Sequence, residues 1–264
     1  MTHRARKRFG QHFLEPAWVA KLVAAIAPQP DDTFLEIGPG RGALTAALAA
    51  RVGRLVAVEI DRDLAAALPA LVPATVRVIE GDFLDADLAA LLADERLPVR
   101  VAGNLPYNIA TPILARLLET SGGGRTLADA TVMLQKEVAE RVVARSGSAD
   151  YGPLAVAVAL DADAECVLTL PPGAFRPPPK VTSAVVRLRF RQPGVEVGDR
   201  SVFARLVRGA FQQRRKTLLN ALTPPAEALG RDPADLLARA GVDPQIRPGD
   251  LPLEGFAALS RAVL

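Results

Sequence analysis

The sequence predicts an α/β protein with a mostly parallel sheet covered by helices on both faces, followed by a small all-helical domain. Three observations predict this architecture. Strand and helix patterns alternate through the first two-thirds of the 264 residues, a glycine-rich turn closes the first strand, and only helical patterns follow Gln192-Pro193-Gly194. We therefore expect a large domain over residues 1–194 and a small helical domain over residues 195–264.

Short apolar runs rich in β-branched residues predict the strands. They are Thr33–Ile37, Arg54–Ile60, Val76–Glu80, Val99–Gly103, Ala130–Gln135, Glu165–Leu170 and Ser183–Phe190. Helices are predicted at Ala43–Arg51, Asp63–Ala70, Asp87–Leu92 and Ile109–Leu118, and beyond the boundary at Ser201–Phe211, Thr217–Leu222, Ala234–Ala240 and Leu253–Val263. In such alternating folds, ligands bind at the carboxyl ends of the strands.

Composition limits the function classes only broadly. Lys and Arg number 32 against 29 Asp and Glu, so the formal charge is +3, and a nucleic-acid partner depends on where the basic residues cluster. Cys166 is the only cysteine, which excludes an internal disulfide and favours a reducing cytoplasm. Its apolar neighbours Val167 and Leu168 predict a core position.

The sequence gives little support for a targeting peptide, a membrane span or a metal site. No apolar run approaches the length of a membrane span. The two histidines, His3 and His12, and the single cysteine do not form a metal-ligand pattern, so we expect no metal. The basic N-terminus superficially resembles an organelle-targeting peptide, but it leads directly into Phe9–Leu14, which favours a functional arm of a cytoplasmic protein.

The predicted cofactor site begins at the turn Glu36-Ile37-Gly38-Pro39-Gly40-Arg41-Gly42. Gly38 and Gly40 allow a ligand to approach the backbone closely. Glu59 ends the second strand, where a carboxylate accepts both hydroxyl protons of a ribose. Asp82 follows the third strand and is placed to bind an adenine amino group. The combination predicts a site for a nucleoside-containing ligand.

Two other interpretations of this turn stay open. Gly38–Ala43 also fits the loose pattern of a dinucleotide-binding turn, and glycines by themselves also make ordinary turns. Glu36 favours S-adenosylmethionine, because a carboxylate here repels a pyrophosphate but not the positively charged methionine moiety.

The fourth strand is followed by Asn104-Leu105-Pro106-Tyr107, which predicts the reacting site. The exocyclic nitrogen of adenine is a poor nucleophile, so an enzyme has to hold it in line with the methyl group. The side-chain oxygen of Asn104 and the backbone carbonyl of Leu105 can accept its hydrogen bonds. Pro106 stiffens the loop, and Tyr107 offers a ring on which an extruded base stacks. Asn and Pro are also common in ordinary strand-to-helix turns.

The chain resembles the small-subunit ribosomal RNA adenine dimethyltransferases over nearly its whole length. The resemblance is carried by Arg8–Leu14, Leu35–Gly40, Val58–Asp61, Gly81-Asp82, Asn104–Ile109, Gln135–Arg141 and Phe175–Ser183. It implies a Rossmann-like class I methyltransferase fold. It also implies transfer of two methyl groups from S-adenosylmethionine to each of two adjacent adenines, in a hairpin loop near the 3′ end of 16S ribosomal RNA in the maturing small subunit.

Matched by position, the resemblance implies cofactor contacts at His12, Leu14, Gly38, Glu59, Asp82 and Asn104. His12 departs from the Asn often found there, although a neutral imidazole can still make one hydrogen bond, and simple packing is the alternative role. Phe175 is the implied opposite wall of the base pocket, facing Tyr107. Its proline-rich surroundings also predict a rigid connector.

Two basic clusters are candidates for contacts with RNA phosphates. One is the N-terminal arm with Arg4, Arg6, Lys7 and Arg8, and the other is Arg214, Arg215 and Lys216 in the helical domain. A solvated charged face is the alternative for either cluster. The expected partner is 16S ribosomal RNA in the immature small subunit, bound by a monomer away from any membrane.

Three alternative functions stay open at this point. A large-subunit ribosomal RNA methyltransferase of the antibiotic-resistance type shares the cofactor turn and a similar Asn-containing motif, but Phe175–Ser183 and the N-terminal arm favour the small subunit. A non-catalytic assembly factor would not need an intact Glu59 and Asn104. A nicotinamide oxidoreductase leaves Asn104–Tyr107 unexplained.

Overall fold

A seven-stranded sheet forms the centre of the larger part of the molecule. The computed structural model describes residues 12–263. The sheet strands are β2 (Thr33–Ile37), β3 (Arg54–Glu59), β4 (Val76–Glu80), β5 (Val99–Asn104), β6 (Leu127–Gln135), β7 (Ala162–Leu170) and β9 (Ser183–Phe190), and two short strands, β1 (Phe13–Leu14) and β8 (Phe175–Arg176), pair separately. Their order across the sheet is β4-β3-β2-β5-β6-β9-β7. The first five in this order are parallel, and β9 is antiparallel to β6.

Helices cover both faces of this sheet, and other helices form a second compact unit. They are α1 (Pro16–Ile26), α2 (Ala43–Ala49), α3 (Arg62–Ala67), α4 (Leu88–Leu92), α5 (Ala110–Thr120), α6 (Lys136–Val143), α7 (Pro153–Asp161), α8 (Arg200–Gln212), α9 (Leu218–Glu227), α10 (Pro233–Ala240) and α11 (Leu253–Val263). The predicted α/β class with a C-terminal helical region is confirmed. Within the described residues, no helix is long and apolar enough to cross a membrane.

The parallel register explains why several residues predicted to bind a ligand converge at one edge of the sheet. The neighbouring strands β3, β2 and β5 run in the same direction, with Ile37 paired to Val58 on one side and to Gly103 on the other. Their carboxyl ends therefore lie side by side. Apolar residues of these strands, such as Phe34 and Leu35, are fully buried, so the sheet is held rigidly between its helices.

The division into compact units differs from the predicted ranges in one segment. The first unit comprises the described chain up to Ala139 together with Asp163–Gln192, whereas Glu140–Ala162 belongs with the chain after Pro193. Packing explains the difference. Tyr151 donates a hydrogen bond to the Leu251 carbonyl at 3.1 Å, and Asp161 pairs with Arg200 through two contacts of 2.7 and 2.8 Å.

Helix α7 shows why this segment was not recognised in the sequence. Its residues Pro153–Asp161 are apolar almost throughout, so they carry no helical alternation of polar and apolar positions. The sequence patterns also missed α1 and α6. Helix α1 ends at Ala27 in a left-handed conformation without the glycine that usually marks such an end.

The expectation that Cys166 lies in the core is wrong. Cys166 is exposed, because it lies on β7, which is an edge strand of the sheet. Alternating side chains of a strand point to opposite faces, so an apolar neighbour does not imply burial.

Candidate functional site

A cavity lies at the carboxyl ends of β2, β3 and β5. It brings together most of the residues predicted from the sequence: His12, Leu14, Gly38, Gly40, Glu59 and the run Asn104-Leu105-Pro106-Tyr107 all line it. Asp82 and Phe175 do not line it. Among the described residues, no group of three His, Cys, Asp or Glu side chains is placed to hold a metal ion.

The glycine turn fits closely under the N-terminal segment. Gly40 has a positive φ of 59°, and a Cβ atom there would lie 3.2 Å from Cε1 of Phe13. The same Phe13 ring lies 4.2 Å from the guanidinium of Arg41. The turn therefore favours glycine for its backbone conformation, and a Cβ atom would also crowd the aromatic ring.

Glu59 is a buried carboxylate that the backbone holds in place. It is 4% exposed, and its two oxygens accept hydrogen bonds from the backbone nitrogens of Gly40 and Asp61, each at 2.8 Å. Burial raises the pKa of Glu59, while these backbone hydrogen bonds oppose the shift. Both oxygens are fixed at the cavity, which is the arrangement needed to receive two hydroxyl groups.

Glu36, which the sequence interpretation treated as a charged carboxylate, is buried more completely than Glu59. It is 1% exposed, and its Oε2 has no hydrogen-bond partner among the described residues. Burial is the main reason that its pKa is raised to about 8, with a further contribution from Glu59. The nearby Thr45 hydroxyl opposes this shift, although its Oγ1 makes no hydrogen bond of normal geometry.

The reacting-site motif is anchored from two directions. Nδ2 of Asn104 donates a hydrogen bond to the backbone carbonyl of His12 at 2.7 Å. The Leu105 backbone nitrogen donates to the Met133 carbonyl on β6 at 3.2 Å. Because the amino group of the Asn104 amide faces His12, its oxygen points away from that carbonyl and is available as an acceptor.

Tyr107 is held at both its hydroxyl and its ring. The hydroxyl lies 2.6 Å from Oγ of Ser183, and burial raises the pKa of this phenol. The ring stacks on the imidazole of His12, with 5.7 Å between centroids and 23° between planes. Nδ1 of His12 donates to the Pro177 carbonyl at 2.8 Å. Ser183 was not singled out as a site residue, although it closes one of the motifs that carry the resemblance.

Asp82 is placed near the end of β4 but outside the cavity lining. Its Oδ1 accepts a hydrogen bond from the Leu84 nitrogen at 2.8 Å, which shapes the following turn. Arg116 binds the carbonyls of Leu84 and Ala86 in the same turn. A cofactor contact for Asp82 stays a prediction.

Phe175 lies in the core of the first unit. Its side chain is fully buried and belongs to a core cluster that includes Leu22 and Phe34, because its strand β8 pairs antiparallel with β1 and turns the ring inward. The role as a wall facing Tyr107 stays a prediction, whereas the structure supports a core role directly.

The basic residues fall in two places. Arg4, Arg6, Lys7 and Arg8 lie outside the described residues. Arg215 and Lys216 are exposed directly after α8, in the second unit. Arg214 is half-buried and donates a hydrogen bond to the Ser148 carbonyl at 3.1 Å. Arg215 and Lys216 therefore present the more accessible charges of this cluster.

Comparison with known proteins identifies the family. A family model described as ribosomal RNA adenine dimethylase matches residues 2–247. The chain is 45% identical over 262 residues to the ribosomal RNA small subunit methyltransferase A of Acinetobacter baylyi, covering 98% of this chain and 92% of that protein. It is 47% identical over 262 residues to the protein of the same name from Chromobacterium violaceum, covering 98% and 95%.

Solved structures agree with this assignment. A dimethyladenosine transferase from Plasmodium falciparum matches with a TM-score of 0.75 and 25% identity, covering 94% of this chain and 96% of that one. The 23S rRNA methyltransferase ErmE matches with a TM-score of 0.69 and 27% identity, covering 95% and 99%. With the predicted motifs gathered around one cavity and near full-length relatives, the chain belongs to the ribosomal RNA adenine dimethylase family.

Proposed function

We propose that this protein transfers methyl groups from S-adenosylmethionine to the N6 amino groups of two adjacent adenines, in a hairpin loop near the 3′ end of 16S ribosomal RNA in the maturing small subunit. The observation that carries the proposal is the fixed amide of Asn104 beside the ring of Tyr107, at the edge of a cavity that also contains Glu59. The relatives named small subunit methyltransferase A support the choice of subunit.

The residues around the cavity fit the methyl donor. Glu59 presents two fixed oxygens for the ribose hydroxyls, and the turn through Gly38 and Gly40 allows the methionine moiety to approach the backbone. Glu36 adds a second buried carboxyl group to the lining of the same cavity. When bound, the donor supplies an activated methyl group, so the protein needs no strong base.

The reaction requires the base to be held and oriented. The oxygen of Asn104 and the carbonyl of Leu105 accept hydrogen bonds from the amino group, which places its lone pair toward the methyl group. The base stacks on Tyr107, which contributes roughly 1–3 kcal/mol. Because His12 covers one face of that ring, an incoming base uses the other face or displaces the imidazole.

The second methylation meets a different hydrogen-bond pattern. After the first transfer the nitrogen retains a single hydrogen, so Asn104 and the Leu105 carbonyl cannot both be satisfied as before. The monomethylated base therefore has to reorient. Hydrogen-bond anchoring of Asn104 by His12 keeps the acceptor in place for both steps.

Binding of the subunit is assigned to two clusters of basic residues. Arg215 and Lys216 neutralise phosphates, together with Arg214 and the N-terminal arm containing Arg4, Arg6, Lys7 and Arg8. We expect the protein to act as a monomer in the cytoplasm, where immature subunits occur.

Labelled S-adenosylmethionine and immature small subunits test the proposal. Label on two adjacent adenines of 16S RNA is the expected result. Label on large-subunit RNA would instead assign the antibiotic-resistance type of activity. Absence of label, with subunit binding intact, would assign a non-catalytic assembly factor.

A further inference from the structure

The two buried glutamates of the cavity have opposite surroundings. Glu59 receives two backbone hydrogen bonds, each at 2.8 Å, which stabilise its charged form. Glu36 is 1% exposed, and its Oε2 has no hydrogen-bond partner among the described residues. When two nearby carboxyl groups differ in this way, the one without hydrogen bonds to its charged form takes the proton.

The groups facing Glu36 make an isolated charge unfavourable. Glu59 at the end of β3 adds negative charge, and Asp61 behind it is also buried. Thr45 on α2 contributes a neutral hydroxyl. Arg41 and His12 line the same cavity from the glycine turn and the N-terminal segment, and the Arg41 guanidinium lies over the Phe13 ring. Burial is the largest of these influences and raises the pKa of Glu36 to about 8.

A ligand that brings positive charge into this cavity changes the balance. It supplies the electrostatic partner that the buried carboxylate lacks, so the charged form of Glu36 becomes favourable. Proton loss and cation binding are therefore linked events at one side chain.

We propose that Glu36 is a proton-exchanging counter-ion for the methyl donor: its carboxyl group is protonated before the cationic donor binds and gives its proton to solvent when the donor enters. This inference rests on the proposed function. One positive charge enters and one proton leaves, so the charge of the cavity is conserved. When methyl transfer removes the sulfonium charge, the carboxyl group regains a proton, which favours donor over product as the bound species.

Calorimetric titration in two buffers of different ionisation enthalpy counts the protons released. At pH 7 the wild-type protein should release a large fraction of one proton per S-adenosylmethionine bound, and clearly less per S-adenosylhomocysteine. At pH 9 the release should fall toward zero, because Glu36 is already ionised. As pH rises toward the pKa of Glu36 in the free protein, the dissociation constant for the donor should fall by up to about tenfold per pH unit.

Glu36→Gln provides the reference, because it keeps the size of the side chain and removes its titratable carboxyl group. The variant should release fewer protons than wild type, and its donor affinity should depend less on pH. Glu119→Gln, the same change at an exposed position of α5, should behave like wild type.

Three outcomes would overturn the inference or its basis. Equal proton release by wild type and Glu36→Gln would show that Glu36 is not the source of the proton. The proposed methyltransferase function would not be affected by that result. Equal release with the two ligands excludes the selectivity for positive charge. Failure of the donor to bind the wild-type protein contradicts both the inference and the proposed function.

A measurement on the wild-type protein covers the case in which the variant does not fold. Infrared difference spectra should show loss of a protonated carboxyl band when S-adenosylmethionine binds at pH 7. A spectrum with no such loss would contradict the proposal, and this test requires no variant.

Discussion

The side chain of Asn104 and the backbone carbonyl of His12 are joined by a hydrogen bond of 2.7 Å, although 92 positions separate them in the chain. This contact fixes which end of the amide faces the cavity. It also ties the N-terminal segment to the strand β5 that carries the reacting site. The side-chain oxygen of Asn104, which we propose as the acceptor for the target amino group, is therefore oriented by a main-chain carbonyl rather than by another side chain.

Replacing Asn104 with Ala should reduce methyl transfer by roughly 100-fold or more, as for loss of one positioned polar group in other active sites. Donor binding should weaken only slightly, because Glu59 and the glycine turn are unchanged. Single-turnover transfer and calorimetric donor binding separate the two effects. Asn108→Ala, at an exposed position of the same turn, is the matched control. Equal losses of activity in both variants would remove the special role of Asn104.

The ring and the hydroxyl of Tyr107 should contribute differently. Tyr107→Ala removes the stacking surface, and loss of roughly 1–3 kcal/mol predicts a decrease in kcat/KM of about 5- to 150-fold. Tyr107→Phe and Ser183→Ala each break the 2.6 Å hydroxyl contact but keep the ring, so both should retain most activity. If Tyr107→Phe is as damaged as Tyr107→Ala, the hydroxyl rather than the ring is the important group.

Glu36 should make the unliganded protein less stable as pH rises. Its folded-state pKa is raised above the value of 4.5 for a free carboxyl group, to about 8, so the native state binds more protons between these pH values. Stability is then highest below the lower value and falls as pH rises through the higher one. Glu36→Gln removes this dependence and should raise Tm relative to wild type at pH 8.5 more than at pH 5.

Thermal melts of the two proteins across this pH range measure the difference, which should be on the order of a few kcal/mol, since one pKa unit corresponds to about 1.4 kcal/mol. Glu119→Gln should change little at either pH. A constant difference between wild type and Glu36→Gln from pH 5 to pH 8.5 would contradict the raised pKa.

Phe175 should act through stability. Phe175→Ala should cost about 3–5 kcal/mol, because the ring is fully buried in the core. Phe175→Leu should be milder and should keep its activity per folded molecule, as should Phe256→Leu, which alters an equally buried ring of the second unit. Loss of activity confined to folded Phe175→Leu would instead support a direct contact with the base.

The basic cluster should control the salt dependence of subunit binding. Neutralising Arg214, Arg215 and Lys216 to Gln should weaken binding and reduce the slope of log K against log salt by roughly 0.7–0.9 for each lost phosphate contact. Arg215 and Lys216 should account for most of the change, because Arg214 also binds the Ser148 carbonyl. Replacing the exposed Arg51 and Arg96 by Gln removes charge elsewhere and should leave the slope unchanged.

Local sequence patterns were sufficient to predict most strands of the sheet and most residues that line the cavity. β-branched apolar runs predicted seven sheet strands. The glycine turn follows one of these strands, and Glu59 and Asn104 end two others, so parallel strand order alone brings them together. Helices such as α7 were missed because a segment that is apolar on all sides has no periodic signal.

The sequence by itself determined the chemical groups of the site and, by resemblance, its family. Only the tertiary structure decided the raised pKa of Glu36, the orientation of the Asn104 amide and the burial of Phe175. The physical reason is that these properties depend on desolvation and on partners far away in the chain. Asn104 meets His12, and Phe175 pairs with Leu14 across β1 and β8, only when the chain has folded.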